Sequence, residues 1–301
     1  MGASCISELA ACFPRAGGWF VYAEAALGRR IAWVVGLCDW LAHCIGLAWV
    51  ATTLGDYLAT GFNLDARLIA IAALLLFAAI QLLGVKMGSI SQELLSTAKA
   101  LVFIALVVGC FLLHPATSLQ APLSVNTPVR PGLMALVFAM QAVITTYDGW
   151  ASPMYFAEEF SDPPRDLPRS LIGGVLAVMV LYLLINGALL HVLSVGLLSQ
   201  AYLPAENAAI LVFGANGGWV ITVIAVVALL GLINTVVMAA PRILYGLGRD
   251  GLLPSLASQV NAGGTPIAGL LITVVVSSLF ILGGTFDRLL SIGAFFMWHF
   301  R

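Results

Sequence analysis

The chain has 301 residues, of which 61% are hydrophobic and 9% charged, with a formal net charge of −1 and a mean hydropathy of +1.04. Soluble domains carry roughly 25% charged residues, so a water-soluble globule is excluded and an integral membrane protein is implied. Near-neutral charge with no basic cluster excludes nucleic acid as a partner.

The apolar runs continue for about 20 residues instead of alternating over about 10, the pattern of spanning helices and not of a β-barrel. The expected fold is an all-α membrane protein, a polytopic helical bundle in the lipid bilayer, forming one transmembrane domain over residues 1–301. A secretory signal peptide is not expected, because no basic region precedes a cleavable apolar one.

Taken in order, the first segment (about 1–13) is apolar, too short to cross, and carries Glu8. Pro14 to Gly18 ends it, and a short amphipathic piece with Arg29 and Arg30 follows. A full span is expected over 31–53, then a loop with Asp56 and Asp65. Spans at 67–85 and 92–113 flank a tight turn from Gly84 to Gly88. A polar loop from His114 to Arg130 leads to a segment at 132–160, broken near 145–150. Segments at 170–193, 219–240, 266–283 and 286–301 complete the chain, which shows no coarse repeat. Arg15, Arg29, Arg30, Lys86, Arg165, Arg169, Arg242 and Arg249 fall on one side of these segments, and Arg67, Arg130 and Arg288 on the other. The excess marks the first side as cytoplasmic. Cys5, Cys12, Cys38, Cys44 and Cys110 form no CxxC pair and sit in apolar segments. They are expected to be small buried hydrophobes, with no metal site and no disulfide.

The segment at 132–160 organises the rest. An apolar helix runs into Thr145, Thr146, Tyr147, Asp148, Gly149 and Trp150, a series no lipid-facing helix would choose. An ionisable group inside an apolar span marks a functional site by default. A helix break is tolerated in a bilayer where it faces protein or a water-filled cavity. The alternative is a single buried aspartate bonded to a neighbouring helix. Tyr147 and Trp150 suit stacking over a ligand and equally suit helix packing.

Three further groups stand out. Lys99 lies too deep in its helix to reach water easily; a buried ammonium either finds a partner or gives up its proton. It is read either as a proton-coupling group or as a prop that stands in for a bound cation. Asp39 and His43, spaced i,i+4, share a helix face, as a mutually satisfied packing pair or as a substrate contact and proton relay. Glu8, Glu158 and Glu159 lie near the cytoplasmic side and are expected to pair with loop arginines as a gate or brace. No cofactor is expected. Tyr147-Asp148 with Gly246 to Asp250 resembles the paired motifs of intramembrane aspartyl proteases, whose two carboxylates share a proton. Arg249 interrupts the second motif and Asp250 falls in a basic loop, so no enzyme is expected.

Four stretches then match a known family in order and separation: Ala3–Gly18 (ASCISELAACFPRAGG), Gly84–Lys99 (GVKMGSISQELLSTAK), Thr146–Ser170 (TYDGWASPMYFAEEFSDPPRDLPRS) and Pro241–Pro254 (PRILYGLGRDGLLP). On these residues the chain resembles an amino acid permease of the amino acid–polyamine–organocation superfamily. The resemblance implies two inverted five-helix repeats, with the first helix and most of the tenth lacking, so the chain is expected to be a truncated form of a carrier. It implies a secondary transporter in the plasma (cell inner) membrane that moves an amino acid by alternating access. The unwound stretch Thr145–Trp150 would hold the substrate's ammonium and carboxylate. Lys99 falls where many members carry a lysine in place of sodium, which implies proton coupling or exchange. A polyamine or amine exchanger of the same superfamily, and a non-transporting fragment, are the competing readings.

Overall fold

In lipid, a helix satisfies its own backbone polar groups, and long apolar runs with few breakers leave the chain little else to form. The computed structural model of the protein describes residues 2–62, 64–112, 132–147, 149–200 and 204–284. They form α1 (Gly2–Cys12), α2 (Trp19–Leu27), α3 (Arg29–Phe62), α4 (Ala66–Leu82), α5 (Val85–Leu112) and α6 (Leu133–Thr146). A 3-10 helix at Ser152–Glu159 leads to α7 (Pro163–Val192), α8 (Val195–Gln200), α9 (Pro204–Phe213), α10 (Gly217–Arg249) and α11 (Ile267–Gly283). There is no β-strand among the described residues. Helices α3, α5, α7 and the combined α9–α10 run are each long and apolar enough to cross a membrane. At 17 residues, α4 and α11 extend about 25 Å, near the lower limit for a crossing.

Helix α10 is the hub. Its stretch from Ile233 to Gly248 is buried almost without interruption. One apolar cluster joins it to α3, α4 and α11 through Leu47, Leu54, Leu74, Ile233 and Leu270. A second joins it to α1, α2, α3 and the 3-10 helix through Phe20, Met154, Ile243 and Leu247. Helices α6 and α7 instead turn most of their large apolar side chains outward, the surface a bilayer covers.

Several element ends differ from those read in the sequence, each for a local reason. Helix α3 continues past Thr53 to Phe62. The Thr52 and Thr53 hydroxyls donate to the Ala48 and Trp49 carbonyls at 2.8 and 2.9 Å, so both threonines stay inside the helix. Asp65 caps α4 by accepting from the Arg67 backbone N–H at 2.7 Å. The turn before α5 is shorter than Gly84 to Gly88. Gly84 alone takes a left-handed conformation, φ +115°, and Gly88 is helical and pressed against the Gln81 side chain. Helix α10 runs on through Pro241 to Arg249, which places Arg242 and Arg249 on a helix and not in a loop. The cysteine expectation is also corrected. Cys44 and Cys110 are buried, but Cys5 and Cys12 are exposed, because α1 buries just one face, at Ile6, Ser7 and Ala10.

Candidate functional site

Helix α6 is short and is followed by a turn at Gly149 and a 3-10 helix. Its 14 residues reach about 21 Å, short of the roughly 30 Å hydrocarbon core. Thr145 lies in its last turn, and the Thr146 hydroxyl donates to the Val143 carbonyl at 2.7 Å. Tyr182 of α7 donates its hydroxyl to the Thr146 carbonyl at 2.8 Å, satisfying one of the acceptors that a helix end leaves open. The Tyr147 and Tyr182 rings meet edge-on, centroids 5.1 Å apart. Gly149 has φ +95°, a conformation that a residue with a Cβ rarely adopts. Its carbonyl accepts from the Ser152 hydroxyl at 2.7 Å and from the Ser152 backbone N–H at 3.1 Å. Trp150 packs among the second apolar cluster, its ring against Gly2 of α1. Asp148 lies outside the described residues.

One turn beyond the break is a polar cluster that ties this segment to α3. Tyr155, on the 3-10 helix, directs its hydroxyl to both carboxylate oxygens of Asp39, at 2.9 and 3.2 Å. Asp39 is 1% exposed. His43 Nδ1 lies 2.8 Å from the Asp39 backbone carbonyl and 3.5 Å from its carboxylate, and the His43 ring meets the Tyr155 ring edge-on at 5.1 Å. Asp39 and His43 do face each other, as their spacing requires, and the third member is Tyr155. Sequence reasoning passed over it, since an aromatic beside Met154 and Phe156 reads as packing and its partner is 116 residues away.

At the same end of the bundle the acidic residues divide. Glu158 pairs with Arg249 and accepts the Ala16 backbone N–H at 3.0 Å. Glu159 accepts from Arg242 Nε at 3.0 Å. Arg242 is 3% exposed; it also donates to the Met238 carbonyl, lies over the Phe156 ring at 5.1 Å, and keeps Nη2 buried with no hydrogen-bond partner among the described residues. Glu8 is exposed on α1 and has no ion-pair partner among the described residues. Arg15 and Arg249 hold Asp250 at 3.4 and 3.0 Å, so Asp250 is committed to the basic end of the bundle.

Lys99 is half-buried on α5. Since that helix begins at Val85, Lys99 is about 21 Å from its start, the middle of the span. No hydrogen bond or ion pair engages it among the described residues. A second polar group, unforeseen in the sequence, links α4, α5 and α10: Gln81 donates to Asn234 at 3.0 Å, and Asn234 donates to Gln92 at 2.8 Å. Among the described residues no cluster of three or more His, Cys, Asp or Glu could hold a metal ion.

Comparison with known proteins agrees in kind. The family model for amino acid permeases matches residues 1–300. The chain is 27% identical to the serine/threonine exchanger SteT of Bacillus subtilis over 99% of its own length and 69% of that protein's. It is 27% identical to b(0,+)-type amino acid transporter 1 of Oryctolagus cuniculus, over 100% of the chain and 63% of the relative. It is 29% identical to the mitochondrial cationic amino acid transporter 3 of Arabidopsis thaliana, over 93% of the chain and 49% of the relative. The chain thus spans between about half and two-thirds of the length of these relatives. They are transporters, which removes the protease reading. The chain belongs to the amino acid permease family and is an integral, multi-pass membrane protein, not an enzyme.

Proposed function

We propose that the protein serves amino acid transport in the plasma membrane as a secondary carrier working by alternating access, with the α6 break as the substrate-binding element. The observation that carries this reading is the interruption itself. Within one crossing the helix ends at Thr146, turns at Gly149 and resumes at Ser152. A helix broken inside the bilayer presents backbone donors and acceptors at a depth where water is scarce, a setting suited to an ammonium and a carboxylate on one small molecule. Thr145, Thr146, Tyr147, Asp148, Gly149 and Trp150 form this element. The relatives, two amino acid transporters and a serine/threonine exchanger, support an amino acid substrate. Asp39, engaged by Tyr155, is not offered to a diamine, which favours amino acids over polyamines. Lys99, at mid-span with no partner among the described residues, is assigned the coupling role, by proton movement or in exchange. Glu158 and Glu159, with Arg249 and Arg242, form the brace that holds the segment after the break.

The test is uptake into proteoliposomes by the full-length protein that contains this chain. Labelled amino acids from a broad panel should accumulate, and putrescine should not compete. No movement or binding of any amino acid would overturn the reading. Lys99→Ala should abolish uptake driven by a pH gradient while leaving substrate binding in place; gradient-driven uptake that survives the change would make Lys99 structural.

A further inference from the structure

The basic end of the bundle holds a recess that the transport reading does not use. It has a volume of about 250 Å³ and is lined by Arg29, Arg30, Trp33 and Leu252. Arg29 is fixed in place: its Nη2 donates to the Asp250 carbonyl at 2.7 Å and lies over Gly251. Arg30 is exposed and has no ion pair or hydrogen bond among the described residues. The carboxylates nearby are spoken for by other cations. Asp250 is held by Arg15 and Arg249, Glu24 by Arg15, and Glu158 by Arg249. With Arg29 and Arg30 the group counts four arginines against three carboxylates, a net charge of +1 that the protein leaves uncancelled at this end.

Beyond the two arginines α3 turns apolar outward: Trp33 is 42% exposed, and Ile31 and Val34 are exposed as well. Cations beneath an indole and an aliphatic wall, where a helix enters its apolar span, reproduce the layering of a membrane interface: phosphates at one level, glycerol and the first chain carbons at the next. The excess of basic residues places this end on the cytoplasmic side, where the leaflet is rich in anionic lipid.

We propose that this recess binds the headgroup of an anionic phospholipid of the cytoplasmic leaflet. Arg29 and Arg30 hold the phosphate, for which the planar guanidinium fork is suited, and Trp33 and Leu252 pack on the glycerol and upper chain. The net positive charge selects an anionic over a zwitterionic lipid. The exposed apolar wall selects a lipid over free phosphate. Because Arg29 is already bound to the Asp250 carbonyl, and Asp250 to Arg249, a lipid seated here adjoins the same ionic group that anchors Glu158 after the α6 break.

The experiment uses the purified protein stripped of lipid, with native mass spectrometry to read the affinity for phosphatidylglycerol and for phosphatidylcholine of identical chains. Phosphatidylglycerol should bind at least about tenfold more tightly, as two arginines at about fivefold each allow. Arg30→Ala should weaken phosphatidylglycerol about fivefold with an unchanged melting temperature, since that side chain makes no hydrogen bond or ion pair among the described residues. Arg29→Ala with Arg30→Ala should weaken it about twentyfold, and Arg67→Ala at the opposite end should leave it unchanged. Equal affinity for the two lipids, or a double variant that binds phosphatidylglycerol as the parent does, overturns the proposal. So does displacement of the lipid by an equal concentration of inorganic phosphate, which would leave the apolar wall without a role.

Discussion

Tyr155 reaches from the segment after the α6 break to α3 and shares one hydroxyl proton between the two carboxylate oxygens of Asp39. A hydrogen bond to a buried charged group contributes about 1.5–3 kcal/mol, so Tyr155→Phe should lower stability by about 2 kcal/mol. A double-mutant cycle with Asp39→Asn, read by thermal unfolding in detergent, should return a coupling of at least about 1 kcal/mol; strictly additive losses would mean the contact is incidental. Arg242 makes a sharper case. Its guanidinium is buried, and Glu159 supplies its counter-charge. Removing Glu159 leaves the buried guanidinium uncompensated, at up to about 3 kcal/mol, lessened because the Glu159 side chain is itself 34% exposed. Glu159→Ala should therefore cost far more than Glu24→Ala, whose partner Arg15 has a side chain 41% exposed and whose pair falls in the range of about 0–1 kcal/mol. Equal losses in the two variants would show that the Arg242 pair is as well solvated as the other. Nothing local in the sequence announces the Tyr155 contact, and the arginine expected for Glu159 turns out to lie inside a helix and not in a loop. Tyr155 and Asp39 are 116 residues apart, and Pro241 just before Arg242 reads as a helix end because a proline lacks the N–H the helix needs. In the fold α10 absorbs Pro241, with Gly269 of α11 close against it, and carries Arg242 inward.

At the scale of an element, what is readable in advance is what a few neighbouring residues decide. Two threonines, a glycine and an ionisable group within six positions interrupt an apolar run, and α6 ends among them at Thr146. Side chains that bury against distant helices cannot be read this way. Gln81, Gln92 and Asn234 each look like an isolated polar residue in an apolar helix, yet they join α4, α5 and α10 in one chain of amides whose Gln81 and Asn234 are fully buried. Two glycines test the difference between a required bend and a dispensable gap. Gly149 has φ +95° with a single atom, the Ser152 hydroxyl oxygen at 3.9 Å, near where a Cβ would lie. The cost of Gly149→Ala is then backbone strain without a clash, about 1–2 kcal/mol. Gly173, in the interior of α7, has nothing within 4 Å of its would-be Cβ and an ordinary helical φ. Gly173→Ala should stabilise by about 0.5–1 kcal/mol. Opposite shifts in melting temperature are the expected result; a gain from both substitutions would mean that the left-handed turn at the break is not held in the folded protein.

For the whole molecule, composition settles the solvent and charge placement predicts the orientation. An apolar surface on α6 and α7 needs a bilayer, and contacts among Arg15, Arg29, Arg249, Asp250 and Glu158 gather the first-side basic residues at one end. Lys86 joins the same end, since Val85 donates its N–H to the Gly263 carbonyl, in the chain between α10 and α11, at 2.9 Å. Arg67 begins α4 at the other. The 17 residues of α4 separate the two by about 25 Å, the thickness of the hydrocarbon core to within a few ångströms. Both side chains are exposed, so a cysteine at either position reports on the water it faces and not on packing. In a background with the five native cysteines replaced, Arg67→Cys should react with a membrane-impermeant maleimide added to intact cells, and Lys86→Cys should react after permeabilisation alone. The opposite pattern would invert the molecule, and with it the leaflet that faces Arg29 and Arg30. Labelling of both in intact cells would mean that α4 does not cross, leaving the short helices to lie within a protein wall and not between two aqueous faces.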